Sequence, residues 1–241
     1  MRWGNNMSKR DNYGELDDDS NPEDQEEQFD ELDSEEDLFD GFERDHVPTR
    51  KEIAEQDGFL ARRQQEFRLA ADAIVVAFSR FPEVEAISLF GSVAVPLRKE
   101  IPRFREYRRN RIEVWHECGD VNVAVWLSAL DNLRELGRAR SRAMNNLLNT
   151  AGIGVAHHQV DVLILEPGTN RYLGWLCKFG QCPKPHKYEC LVQNCGTSPF
   201  LQQFENFKLY QTAPSKSVPL FDRRRGGLVQ CAAQLPRSGM E

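Results

Sequence analysis

Two acids and an amide stand where side chains of that type can do chemistry. Asp120 and Asn122 flank Val121 at the head of the run "DVNVAVWL", and Asp161 sits between Val160 and Val162 in "QVDVLILEP". Side chains alternate along a strand, so Asp120 and Asn122 share a face if this run is extended. A neighbouring strand carrying Asp161 would then bring three oxygen-bearing groups together. Mg²⁺ takes hard oxygen ligands, commonly one or two carboxylates completed by water and substrate phosphates. A second short run, Ile87 to Phe90, ends on Gly91–Ser92. Glycine allows close backbone approach, and serine offers a hydroxyl and an amide at a helix start, where anions are favoured. A plainer account of the same residues is also open, with a turn at Gly91–Ser92, a strand-start cap at Asp120 and a surface charge at Asp161. The apolar flanks of Asp161 resist the last of these.

A second cluster is soft rather than hard. Cys177-x4-Cys182 and Cys190-x4-Cys195 lie seven residues apart, with His186 between them. Two pairs of thiolates suit tetrahedral, structural zinc, with His186 as the reserve ligand. Two disulfides or four unengaged thiols are the other readings. His157 and His158, just before the Asp161 run, read first as loop residues, with metal ligation or hydrogen-bond donation near the site as the other reading.

These residues need elements to hold them. The spacing of Phe67, Ala70, Ile74, Phe78 and Phe81 predicts one helix over 49–81, ended by Pro82. Residues 84–90, 120–127 and 159–167 read as strands, and 131–149 as a second helix. Residues 93–111 are broken by Pro96 and Pro102 and read as short helical pieces in loops. The fold class is α/β in the broad sense (α+β): a small mixed β-sheet flanked by helices, with a Cys-rich insertion. The chain divides into four segments: an acidic tail at 1–45 expected to be disordered, a domain at 46–170, a zinc-binding segment at 171–210, and a loosely ordered C-terminal tail at 211–241.

Charge sharpens this division. The chain of 241 residues has a formal net charge of -7, yet its first 45 residues hold 18 acids and only 4 bases, and the remainder 20 acids and 27 bases. A basic body suits anionic partners such as nucleotides or nucleic acid. No apolar run is long enough to span a membrane, and the opening residues carry no apolar signal region, so a cytoplasmic protein with reduced thiols and no membrane partner is expected.

The order strand–"LFGS", strand–"GDVNVAVWL", strand–"QVDVLIL" resembles the nucleotidyltransferase superfamily of DNA polymerase beta, including its minimal members, across residues 67–166. The resemblance implies that Gly91 and Ser92 hold the triphosphate and that Asp120, Asn122 and Asp161 hold Mg²⁺ or Mn²⁺. Asp120 and Asp161 would be the catalytic acids, one of them drawing the proton from an attacking hydroxyl. Asn122 stands where the family carries a second acid, and a neutral amide bridges two cations poorly. Ser92 and Asp120 are separated by 27 residues, a longer spacer than the family's, containing Arg98, Lys99, Arg103, Arg105, Arg108, Arg109 and Arg111. Arg98 and Lys99 are the candidate phosphate contacts. The expected function is Mg²⁺-dependent transfer of a nucleotidyl group from a nucleoside triphosphate to an unknown acceptor, for which nucleic acid and protein are candidates. The alternative is a catalytically inactive module of this fold that binds nucleotide, nucleic acid or a protein.

Overall fold

A computed structural model describes residues 46–178, 198–203 and 217–237. Its first element, α1 (Arg50–Phe78), begins at a capping box: the Thr49 hydroxyl accepts from the Glu52 amide at 3.3 Å, and the Glu52 carboxylate accepts from the Thr49 amide at 2.7 Å. The helix buries Phe67, Ala70, Ile74 and Phe78 completely, the face its spacing predicts, and Phe81 packs beside that core. It stops at Phe78, short of Pro82, which disfavours helical geometry in the residue before it.

The chain then runs β1 (Val84–Phe90), a single 3-10 turn (Ser92–Ala94), β2 (Lys99–Glu100), α2 (Arg105–Arg109), β3 (Val114–Trp115), β4 (Val121–Leu127), α3 (Leu133–Ala151) and β5 (Val160–Leu165). Next come β6 (Tyr172–Leu176), β7 (Leu201–Gln202), β8 (Val218–Asp222) and β9 (Gly227–Leu228). The result is a mixed α+β fold, as the sequence leads one to expect. Seven of the described strands form one sheet in the order β7-β6-β5-β4-β1-β8-β9, and β2 pairs with β3 in a second. Among the described residues only β4 and β5 run parallel, joined through α3, and every other pair is antiparallel.

Alternation sorts the central strands into two faces. Val121, Val123, Val125 and Leu127 of β4 join Val160, Val162 and Ile164 of β5 in one core with α1 and α3. Asn122, Ala124 and Trp126, with Asp161, Leu163 and Leu165, therefore project from the opposite face. Helix α3 adds Leu136, Ala143 and Met144 to the core and ends on Gly152, which adopts the left-handed conformation at φ 68.

The C-terminal stretch is a correction. Residues 211–241 read as a loose tail, but over 217–237 the chain supplies β8 beside β1 and then docks on α1. Pro219 hid the strand, because proline cannot donate to a ladder; here it occupies a register shift in the β1–β8 pairing between Ile87 and Ser88. Beyond β9, the Asp72 carboxylate accepts from the amides of Ala232 and Ala233 at 2.6 and 3.0 Å. No helix among the described residues is long and apolar enough to cross a membrane.

Candidate metal and phosphate site

The pairing of β4 with β5 sets Asn122 directly opposite Asp161, and the pairing of β1 with β4 sets Phe90 opposite Asn122. The chain leaves β1 through Gly91 at φ 79, and a Cβ built there would come within 3.3 Å of the Asn122 amide nitrogen. The positive φ favours glycine, and any larger residue would also press on the Asn122 side chain. Asp120 precedes β4 by one residue and is exposed. Its charge helps raise the Asp161 pKa, which places the two carboxylates within electrostatic reach. Gly91, Asp120, Asn122 and Asp161 accordingly gather at one end of the face opposite α1 and α3.

Asp161 is 8% exposed. Burial pushes its carboxyl above the usual carboxylate range; Lys178 pulls it back, Asp120 pushes it further up, and Arg140 pulls it down. The Lys178 ammonium lies 2.7 Å from one carboxylate oxygen. Lys178 reads in sequence as part of the cysteine cluster. Its relation to Asp161 comes from the β5–β6 register, in which Leu163 faces Trp175. Continued two residues along each strand, that register sets Cys177 across from Asp161, with Lys178 next in line. His157, just before β5, is bonded to the Lys178 backbone, and burial with the nearby Arg140 and His158 charges keeps its pKa low.

The expectation that Ser92 opens a helix is corrected. Gly91–Ser92 leads into a 3-10 turn of three residues with no side-chain cap. So short a turn develops no useful dipole. What makes this corner rigid is α1 behind it. Gln64 donates to the carbonyls of Ser92 and Val95 at 3.2 and 2.9 Å. Arg68, fully buried, donates to Val93 and Val95 and also to Leu235 and Pro236. Cys118 lies beside the same turn: burial raises its thiol pKa, and the Ser92 hydroxyl, Arg68 and Gln64 pull it back. None of these three supporting residues is recognisable from the sequence, since a buried arginine among carbonyls has no motif.

Arg98 and Lys99 fall elsewhere. Lys99 is on the two-stranded β2–β3 sheet, paired with Asp57 of α1 and 4.3 Å from the Trp115 ring centroid. Arg98 lies 4.0 Å from Glu100 and is largely exposed. Lys99 is thus held against α1 and Arg98 beside Glu100, whereas the cation paired with Asp161 is Lys178. Of the proposed zinc ligands, Cys182, Cys190, Cys195 and the reserve His186 lie outside the described residues. Cys177 is buried, and the buried Arg140 guanidinium donates to its carbonyl at 2.8 Å.

Chemically, Asp120, Asn122 and Asp161 offer two carboxylates and one amide oxygen, a hard donor set that fits one Mg²⁺ or Mn²⁺. It does not fit a bridged pair, for want of a carboxylate at 122. Among the described residues no three His, Cys, Asp or Glu side chains cluster as a metal group. On the same face a cleft of about 270 Å³ opens between Ser88, Trp126, Pro167, Phe221, Arg224 and Arg225. Ser88 is opposite Ala124, two residues along β4 from Asn122. No protein-family model, curated protein or solved structure matches the chain.

Proposed function

We propose that this protein transfers a nucleotidyl group from a nucleoside triphosphate to a nucleic-acid or protein acceptor, using one divalent cation. The observation that carries this reading is the in-register pairing of Asn122 with Asp161 directly beside the Gly91 corner. In it Asp120 and Asp161, with the Asn122 amide oxygen, would hold Mg²⁺ or Mn²⁺, which when bound would offset negative charge developing on the phosphates. Gly91 leaves room for the triphosphate, and Gln64 and Arg68 keep the 92–95 backbone from yielding when an anion approaches. Asp120, exposed beside the site, would hold the cation through one oxygen and accept the proton of an attacking hydroxyl through the other. The neighbouring cleft, with an indole, a phenyl ring and two arginines, is of a kind that suits part of an acceptor. Cys177, Cys182, Cys190 and Cys195 would hold a structural zinc, for which elemental analysis should find about one ion per chain.

Incubation of the full chain with labelled nucleoside triphosphates, Mg²⁺ or Mn²⁺, and pools of RNA and protein tests the reading. Label should move to one pool, and Asp120→Ala should lower the rate by roughly a hundredfold or more. Equal labelling by wild type and Asp120→Ala would overturn it.

Two observations favour a second reading, an inactive module of the same fold that binds nucleotide, nucleic acid or a protein. They are the neutral Asn122 and the Lys178 ion pair on Asp161. Asn122→Asp separates the two: the catalytic reading expects tighter Mg²⁺ binding and faster transfer, whereas an inactive wild type that stays inactive as Asn122→Asp favours the module.

A further inference from the structure

We infer that Lys178 is the resident cation of this site: its ammonium occupies Asp161 until a divalent ion displaces it, and so sets how readily metal binds. The inference rests on the metal site proposed above and adds to it a residue that competes with the ion.

Asp161 is more than nine-tenths buried, and an ionised carboxylate at that depth is costly unless a cation answers it. Lys178 supplies one at 2.7 Å. Arg140 is also buried nearby, but it is directed at the carbonyls of Val160 and Cys177, so its charge reaches Asp161 only at a distance. Asp120 and Asp161 together carry two negative charges. Asn122 adds none, and Lys178 cancels one. A divalent ion arriving at Asp161 therefore meets a pair with reduced charge and an oxygen already engaged.

Lys178 is built to move. Its backbone is fixed: the amide of the preceding Cys177 donates to the Phe200 carbonyl at 2.8 Å, the Cys177 carbonyl accepts from Arg140, and Lys178 itself bonds His157. Its side chain is 39% exposed and ends a flexible four-carbon stem. The ammonium can leave Asp161 for solvent without disturbing the strand. Released beside a bound cation, it becomes a point charge suited to a phosphate oxygen. Metal and triphosphate should then favour each other's binding, because each gives one half of the ion pair a new partner.

Mn²⁺ titration of the full chain, followed by electron paramagnetic resonance of free Mn²⁺, tests this without any nucleotide turnover. Lys178→Met keeps the stem and removes the charge, and should tighten Mn²⁺ binding by about tenfold or more. Lys178→Arg should bind no better than wild type. The double variant Lys178→Met with Asp161→Asn should lose the gain. Lys178→Gln repeats the test if the methionine variant melts early. Equal or weaker Mn²⁺ binding by both neutral variants overturns the inference, and so does a gain that survives Asp161→Asn. The outcome is separable from the enzymatic reading. Tighter Mn²⁺ binding with no transfer in any variant keeps Lys178 in its role and removes nucleotidyl transfer, whereas transfer with unchanged Mn²⁺ affinity does the reverse.

Discussion

Asp161 is the residue on which the rest of the site turns, and its environment fixes a sign that can be measured. Burial raises its pKa in the folded protein, with Lys178 opposing. A group whose pKa is higher folded than unfolded stabilises the native state while protonated. That contribution is complete below the unfolded value and is lost as pH rises through the folded one. Asp161→Asn stays neutral throughout. The unfolding free energy of wild type minus that of Asp161→Asn should therefore fall as pH rises above the ordinary aspartate value of about 4, as measured by denaturant titration. A difference that grows as pH rises would mean that Lys178 outweighs burial. Glu166 is the contrast: exposed and bonded by Arg171 and Thr169, it is held down to about 2, the ordinary effect of hydrogen bonds to the charged form.

Among the elements, the site is a junction of three strand ends and one turn. Gly91 is the hinge of that junction. Gly91→Ala would force a side chain into a positive φ and bring its Cβ to 3.3 Å from Asn122. It should cost roughly 1–3 kcal/mol of stability and reduce Mn²⁺ binding by displacing the amide at 122. Thermal melting and the Mn²⁺ titration check the two halves, and a variant as stable as wild type would mean that the turn relaxes freely. These elements are partly legible in the sequence. The helix over 50–78 declares itself by spacing, and β4 and β5 by alternating and β-branched runs. Those two strands carry or adjoin Asp120, Asn122 and Asp161, so most of the site can be named from the chain alone. Strand β8 cannot, because Pro219 and the arginines after it read locally as loop, and only the open edge of β1 makes extended pairing there favourable. The 3-10 turn at Ser92 likewise reads locally as a helix start. A glycine-serine pair signals a change of direction, while the length of the turn beyond it depends on how Gln64 and Arg68 capture its carbonyls.

For the whole described body, closure comes from its C-terminal end. Residues 231–237 cap α1 from the side, ending in the Leu235 and Pro236 carbonyls, which share Arg68 with the carbonyls of Val93 and Val95. Truncation after Gln230 removes both carbonyls and the amides that Asp72 holds, leaving a buried guanidinium and a half-buried carboxylate short of partners. Each unsatisfied buried group costs roughly 1–3 kcal/mol, so the melting temperature should fall by roughly 5–15 °C in a body of this size. Calorimetry of the truncated chain decides it; an unchanged melting temperature would show that the strap contributes nothing to closure. The amphipathic helices, the two central strands and the acids at them are already written in the order of residues, because periodicity and residue type are local properties of a chain. That Asn122 faces Asp161, that Lys178 reaches the same carboxylate, and that Arg68 ties the end of the chain to the turn at Ser92 are settled by folding. Those are register and burial relations between residues distant in sequence, and they arise only when the strands pair and water leaves the space between them.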